Sequence, residues 1–410
     1  MTKARKILML VENCPAPLDK RIWTEATALR DAGFQVSIIC PKEPTMNRES
    51  YTCLNGIYIY RYHFPKKISS KCNSYIWEYS IAMLMTFVLS VKVLVLHGFD
   101  VIHAANPPDL FFMIGLFYQF FGKIFVYDQH DLSPEMFQVK FRGKMKLLHK
   151  LLLFLEWCSY RTADVVITPN SALKRFAIVR GNCRADRVFI VRNLQSMERV
   201  KPVAPEPELK RGRRYLLAYV GVMGVQDGVD NTLYALHDLV HKRGRQDVSL
   251  VLIGDGECGP KLRMLAHELE LDDYVHFNGW TSPEDVLRYL TVVDVGLSPD
   301  PENGYNEYCT MVKLMEYMAM GKPSVAFDLA ETHLLAQDAA LYAKPNSIED
   351  FASNIETLLD DEERRIKMGS IGRKRIEREL LGDQDRQNLL LAYKVLFPMS
   401  FELQQCEPVV

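Results

Sequence analysis

The segment Asn306–Asp328, NEYCTMVKLMEYMAMGKPSVAFD, places a lysine and a carboxylate where both can face a ligand. Thr310 suits a helix N-cap, which would leave the backbone N–H groups of Met311, Val312 and Lys313 open at a helix N-terminus. Such a terminus favours anions, phosphate above all. Gly321 stands where a C-cap glycine belongs, Pro323 stops the helix, and SVAF reads as a strand. Lys313 and Glu316 are three residues apart and share a helix face. A diphosphate at the helix end with ribose hydroxyls at Glu316 would suit a nucleotide. An ordinary helix with a surface salt pair fits these residues equally.

Other groups with chemistry in them stand at the carboxyl ends of apolar runs. After the first run comes ENCPAPLDKR, a stiff loop in which Lys20 and Arg21 open the next helix and add to its anion preference. HAANPPD places His103 and Asn106 at another strand end, although His103 also reads as a satisfied core histidine. VYDQHDLSPE brings His130 next to Asp131, with Asp128 two residues before the ring. A histidine there can bond a substrate hydroxyl, and a carboxylate can fix its tautomer. In the second half, AYVGVMGVQDGVD carries Gly221, Gly224 and Gly228 across a strand-to-helix turn, LIGDGECG carries Gly254 and Gly256, and FNGW ends in Trp280, available to line a base pocket. Glycines there let backbone approach a ligand. None of these is GxGxxG and no partner acid follows, which disfavours a dehydrogenase.

These groups need elements to position them, and the elements alternate. Lys6–Asn13, Phe34–Pro41, Tyr58–Phe64, Asp100–Asn106, Ile124–Asp131, Asp164–Pro169 and Val188–Asn193 read as strands, several of them unbroken Val, Ile, Leu and Phe runs buried on both faces. Helical patterns such as Arg21–Ala32 and Ser171–Val179 lie between them. The stretch Ser196–Arg214, with three prolines and many charges, reads as a linker. Strands then resume at Tyr215–Met223, Ser249–Asp255, Tyr274–Trp280, Asp294–Pro299, Ser324–Asp328 and Ala340–Ala343. The expected architecture is α/β, two Rossmann-like domains over residues 1–197 and 212–382, with ligands at the carboxyl ends of their sheets in a central cleft.

At 410 residues the chain suits two domains, and its composition is that of a soluble globular protein. Residues 1–200 hold 27 Lys and Arg against 16 Asp and Glu, while the remainder hold 23 against 35. A basic half points to an anionic partner, unless it is simply solvated surface. Nine cysteines without a CxxC pair or a Cys/His cluster at metal spacing suggest free thiols in a reducing cytosol. The N-terminal MTKARKILMLVEN reads as a first strand and not a signal peptide. Ile81–Leu96 and Leu110–Phe121 are apolar but shorter than the roughly 20 residues of a membrane span, so both read as helices on a sheet. Phe141–Trp157 mixes four cations with leucines and ends in Trp, which leaves open a helix resting on a bilayer as well as a core helix with a basic face.

Together these segments resemble the family 4 retaining glycosyltransferases of the GT-B fold over nearly the whole chain. The resemblance is carried by GVMGVQDGVD, GDGE, FNGW and above all TMVKLMEYMAMGKPSVAFD, with DKRIWTEATALRDAGFQV, DVIHAANPPD and ADVVITPN in the first half. It implies a hexosyltransferase-type enzyme that moves a sugar from a nucleotide-diphosphate donor, UDP by default, to an acceptor hydroxyl of a surface polysaccharide or lipid-linked glycan. It implies no metal and no other cofactor, and no nucleic-acid partner. The second domain would bind the donor through Gly221, Gly224, Gly254, Gly256, Trp280, Thr310, Met311, Val312, Lys313 and Glu316. The first would bind the acceptor through Lys20, Arg21, His103 and Asn106, and a last helix, 383–398, would cross back onto it. His130 matches the family histidine that contacts the donor sugar; with Lys313 and Glu316 it forms the implied catalytic set. Of two family glutamates separated by seven residues, Glu316 matches the second, and the first falls on Tyr308 beside Glu307. The Arg and Lys that many relatives carry after the first strand of this domain are replaced by Gly224 and Gln226, which leaves Lys313 as their substitute. The double glycine of many relatives after their first strand is absent.

In such enzymes retention is explained by same-face attack, with the leaving phosphate taking the acceptor proton. Two further readings stay open: a nucleotide-sugar epimerase on the same fold, with Asp131 and Glu307 as acid and base, and a non-catalytic glycosyltransferase-like subunit, kept alive by the missing glutamate. The expected location is cytoplasmic, with membrane contact through the first domain left open.

Overall fold

The computed structural model describes residues 4–42, 49–63, 72–192, 200–380 and 384–397. It divides into two compact units, one of Met1–Pro134, Met145–Gln195 and Asp383–Val410, the other of Glu135–Lys144 and Ser196–Gly382.

The first unit is a doubly wound sheet. Its strands are β1 (Lys6–Leu10), β2 (Gln35–Pro41), β3 (Tyr51–Leu54), β4 (Ile57–Tyr62), β5 (Val101–Ala105), β6 (Ile124–Asp128), β7 (Val165–Thr168) and β8 (Val188–Ile190). Their order is β3-β4-β2-β1-β5-β6-β7-β8, and all pair in parallel except β3 with β4. The chain leaves β1 for β2 on one side and reaches β5 on the other, so the topological switch point lies between β1 and β5. Helices α1 (Lys20–Asp31), α2 (Cys72–Leu96), α3 (Phe112–Gln119), α4 (Ser133–Lys140), α5 (Lys146–Thr162) and α6 (Ser171–Val179) connect the strands, with α4 from Glu135 onward grouped with the second unit. The inward side chains of α1 join one core cluster with Ile7 and Met9; those of α2, α3, α5 and α6 join another with Leu8 and Leu10. The alternating strand therefore has a helix layer on each face.

The second unit repeats the plan. Its strands are β9 (Tyr215–Val220), β10 (Val248–Ile253), β11 (Val275–Gly279), β12 (Val295–Ser298), β13 (Ser324–Phe327) and β14 (Ala340–Ala343). Their order, β11-β10-β9-β12-β13-β14, is the dinucleotide-fold order with its switch point between β9 and β12. The helices are α7 (Asp230–His237), α8 (Gly259–Glu268), α9 (Pro283–Val292), α10 (Val312–Ala319), α11 (Ala330–Ala336), α12 (Ile348–Asp360) and α13 (Glu362–Arg375). The last helix, α14 (Gln384–Leu396), belongs to the first unit. Its Leu389, Ala392 and Tyr393 enter the same cluster as Ile7 and Ile22, and Asn388 Nδ2 donates to Ile190 O of β8 at 3.0 Å.

Four elements differ from the sequence reading. β3 was not expected; it pairs with β4 through a tight turn in which Asn55 and Gly56 both have positive φ, 50° and 77°, the turn that an Asn-Gly pair favours in a hairpin. Phe141–Trp157 is not one helix, because Arg142, Gly143 and Met145 take positive φ and break it ahead of α5. α2 runs longer than Ile81–Leu96, and its stretch Trp77–Leu96 is long and apolar enough to cross a membrane by length and composition. Within Ser196–Arg214, Pro207–Lys210 forms a short helical turn, and residues 196–199 lie outside the described ones.

Candidate active site

Each unit gathers its polar side chains at the carboxyl ends of the strands flanking its switch point, where open α/β sheets bind ligands. In the second unit β9 and β12 pair only over Val295 with Leu217 and Gly296 with Ala218, then part. Tyr317 of α10 fills the fork. Its hydroxyl accepts from Val220 N–H at 3.2 Å and lies 3.1 Å from Ala218 O and 3.2 Å from Leu297 O, so the diverging strands keep their backbone bonded. Gly296 makes room, since a Cβ there would stand 2.3 Å from the Tyr317 ring.

The loops from the two strands are tied together above this wedge. Asn306 Nδ2 donates to Gln226 O at 2.9 Å and to Pro301 O at 2.8 Å, and Asn231 Nδ2 donates to Pro299 O at 3.0 Å. The glycines are required by close approach. A Cβ on Gly254 would come within 1.9 Å of Gly221 O, and one on Gly256 within 2.5 Å of Met223 O. Gly221 and Gly254, with Met223 and Gly256 beside them, thus form one packed rim above β9 and β10, while a Cβ on Gly224 would meet the side chains of Gln226 and Asp227. Trp280 stands apart, after the edge strand β11, with its side chain 82% exposed.

α10 starts one residue later than the sequence suggests. Thr310 is not its N-cap; Met311 holds that position in extended backbone, and its side chain makes no cap bond. The N–H groups at this end are those that intrahelical bonds never satisfy. Lys313 turns into the fold and does not share an outer face with Glu316. Its Nζ lies 2.6 Å from Asp300 Oδ1, and Ser298 Oγ donates to Asp300 Oδ2 at 2.5 Å. The ammonium also sits 5.3 Å from the centroid of the Tyr219 ring. Asp300, Tyr219 and Tyr317 went unnoticed in the sequence; the run VGLSPD, with an acid two residues past a buried strand, was the available signal for Asp300. Glu316 is half-buried on α10, while Glu307 and Tyr308 lie in a short helical turn, Asn306–Tyr308.

In the first unit the switch point holds a buried ionic network. Arg21 of α1 donates to Asp128 Oδ1 at 2.6 Å and to Val191 O at 2.7 Å, and its Nε lies 3.2 Å from Glu25 Oε1. His103 of β5 is fully buried, 2.8 Å from Tyr393 Oη of α14 and 3.3 and 3.4 Å from Glu25 and Asp128. Of the groups read as acceptor ligands, Arg21 and His103 are therefore core members, held by carboxylates, whereas Lys20 lies exposed at the start of α1. Asn106 is a clamp: its Oδ1 accepts from His130 N–H at 2.6 Å and Asp131 N–H at 3.1 Å, and its Nδ2 donates to Asp109 Oδ1 at 2.9 Å. It fixes the loop that carries His130.

His130 Nε2 is 2.5 Å from Asp128 Oδ2. Burial disfavours the charged ring, but Asp128, opposed by Arg21, outweighs it and holds the His130 pKa above its ordinary value. Burial also works against charge on Asp128, yet Arg21, His130 and His103 hold this carboxyl well below the usual carboxylate range. For His103, burial is overcome by Asp128 and Glu25, which raise it to about 9. Ligand atoms of Glu25, His103 and Asp128 lie within 4.8 Å of one another, a spacing that could hold a metal ion. The cationic role there is already taken by the Arg21 guanidinium and the raised His103, which suits an organic ion network better than a metal centre.

Residues 19–195 match the model of glycosyltransferase family 4, and residues 214–361 match glycosyl transferases group 1. The chain belongs to glycosyltransferase family 4. Its two units have the GT-B architecture, as the solved relatives do: a sucrose-phosphate synthase from Thermosynechococcus elongatus (TM-score 0.78, 17% identity, 97% of this chain and 100% of that one) and HepE of Anabaena, solved with UDP-glucose (TM-score 0.70, 15%, 95% and 99%). At those identities the likeness is one of fold. In sequence, the alpha-D-kanosaminyltransferase of Streptomyces kanamyceticus is 30% identical over 157 residues, 38% of this chain and 39% of that one. The matches to the first curated relatives span 37% to 51% of those proteins' lengths. Cys14, Cys40, Cys53, Cys158, Cys183, Cys258 and Cys309 are free thiols, and Cys40 is fully buried.

Proposed function

We propose that this family 4 chain is a retaining glycosyltransferase that moves a hexose from a nucleoside-diphosphate sugar, UDP-linked by default, to an acceptor hydroxyl in surface-polysaccharide or lipid-linked glycan synthesis, in the cytoplasm. The observation that carries this reading is the switch point of the second unit: a helix end whose N-cap Met311 makes no side-chain cap bond, a lysine at the second residue of that helix and a glycine rim, all at the carboxyl edge of one sheet. HepE, a neighbour in fold, was solved with UDP-glucose.

The chemistry follows from charge. As the bond to the anomeric carbon breaks, negative charge grows on the diphosphate and positive charge on the sugar. The amides of Met311, Val312 and Lys313 and the Lys313 ammonium would stabilise the departing diphosphate, so this reading requires no metal ion. Lys313 would exchange part of its bond with Asp300 for phosphate oxygens. Glu316 would take the ribose hydroxyls. His130, held by Asp128 and Asn106, would contact the donor sugar; the departing phosphate would receive the acceptor proton, so no protein nucleophile is assigned. In the first unit the groups proposed for the acceptor side are the exposed Lys20 and the loop that Asn106 clamps.

A panel of nucleotide sugars with glycan and polyprenyl-linked acceptors tests the reading. Release of nucleoside diphosphate together with a product of unchanged anomeric configuration is the expected result. Tight donor binding without turnover would instead favour a non-catalytic subunit, for which the tyrosine at position 308 speaks. Conversion of the donor to an epimer without transfer would replace it with an epimerase.

A further inference from the structure

The first unit carries a surface that the proposed sugar chemistry does not use. α2, α3 and α5 lie on one side of its sheet, where Ala82, Val93, Ile114, Tyr118 and Tyr160 enter a single core cluster. α2 carries more apolar surface than a helix that serves only to cover a sheet needs. Its buried positions are Ala82, Thr86, Ser90 and Val93. Its exposed ones include Trp77 and then, at spacings of three and four, Leu84, Val88, Val91 and Val95, and Val95 is 80% exposed. Met83, Met85, Phe87, Leu89 and Leu94 are partly buried against that core, yet a full row of apolar side chains is still left facing outward, where a surface helix in water carries polar ones.

The neighbouring helices extend the same surface. α3 and the turn after it expose Met113, Leu116, Phe117, Phe120 and Phe121, with Phe120 82% exposed. α5 exposes Leu147, Leu151, Phe154 and Trp157 along one stripe, with Leu147 83% exposed. The three helices are neighbours. Phe87 meets Phe117 edge to face at 5.2 Å, Ser90 Oγ lies 2.9 Å from Tyr118 Oη, and Gln119 Nε2 donates to Thr162 O at 2.9 Å. An exposed apolar area built from three helices exceeds the scattered residues that a monomer surface normally shows.

Charge decides what covers it. Lys92, Lys146, Lys150 and Arg161 are exposed on these helices. α2 and α3 carry one acid between them, Glu78, and the acid of α5, Glu156, is buried and bonded to Arg180 at 2.6 Å. Apolar and aromatic side chains with a cationic, acid-poor rim match the boundary between headgroups and acyl chains. We propose that this surface docks on an anionic phospholipid bilayer, with Trp77, Phe120, Phe121, Phe154 and Trp157 entering the headgroup layer and the lysines contacting lipid phosphates. α2 lies on the bilayer and does not cross it, because Ala82 and Val93 belong to the core of the domain and Ser90 is bonded to Tyr118.

Co-sedimentation of the full chain with phosphatidylcholine vesicles, with and without phosphatidylglycerol, tests it. Expected is binding to the anionic vesicles that weakens with salt, falls about tenfold or more in Leu151→Glu/Phe154→Glu and in Phe120→Glu/Phe121→Glu, and loses its preference for phosphatidylglycerol in Lys146→Glu/Lys150→Glu. All six side chains are at the surface, so unchanged circular dichroism and thermal midpoints should accompany each loss. No pelleting with either vesicle, or pelleting that these substitutions leave intact, overturns the proposal. So does a dimer in sedimentation velocity that the same substitutions dissolve, since the surface would then be covered by a second copy.

Discussion

Lys313 Nζ and Asp300 Oδ1 are 2.6 Å apart, both side chains nearly sealed from solvent, so the cation at the α10 terminus carries its own counter-ion. Breaking such a pair from one side leaves a buried charge alone. Lys313→Met should cost about 3 kcal/mol or more of stability as well as donor affinity, so by itself it cannot separate the two roles. Lys313→Met with Asp300→Leu should restore most of the stability and none of the affinity. Urea unfolding and calorimetric titration with UDP measure the two quantities; a stable double variant that still takes up UDP like the wild type removes Lys313 from the donor site.

Tyr317 bonds the backbone of β9 where that strand parts from β12. Tyr317→Phe keeps the ring against Gly296 and deprives Val220 N–H of its acceptor. The expected loss is about 1–3 kcal/mol, the cost of an unsatisfied buried donor. A chemical-denaturation midpoint equal to wild type would show that the fork closes without the hydroxyl.

Gly254 combines a φ of 128° with a Cβ position 1.9 Å from Gly221 O. Gly254→Ala must therefore move the glycine rim. Nucleotide affinity should fall along with a stability loss of about 2 kcal/mol or more. Affinity that survives the substitution would place the ligand away from that rim.

His103 sets a pH dependence of stability. Its pKa rises from an ordinary 6.5 to about 9 in the folded chain, so its contribution is complete below 6.5 and is lost as the pH climbs through 9. His130 is raised as well and acts in the same direction, whereas the depressed Asp128 contributes above its ordinary 3.8 and is constant over this window. Arg21, Glu25 and Tyr393 complete the groups around the ring. Unfolding free energy should fall between pH 6.5 and 9. His103→Gln should flatten that slope; an unchanged slope would mean that the ring is neutral in the folded state.

The fold was legible because parallel strands buried on both faces write themselves as unbroken apolar runs, and Ala340–Ala343, Ser171–Val179 and Ile348–Asp360 lie where periodicity puts them. The short edge strand β3 was not, although its Asn-Gly turn stood in the sequence. The site was legible as positions more than as contacts. Spacing along a helix places Lys313 and Glu316 on one side, but it says nothing of Asp300, thirteen residues earlier, which turns the lysine inward. Likewise His103 reads the same whether it meets a ligand or the core; only the return of Tyr393 from the far end of the chain decides it.

That return has a consequence for synthesis. The core of the first unit includes Leu389, Ala392 and Tyr393, so that core cannot be completed while the ribosome is still making residues 196–382, although all the strands of its sheet have been made. The amino-terminal unit is translated first and finished last, and a nascent chain stalled before α14 would present Phe34 and His103 without their partner, a state in which chaperone capture is favoured over release.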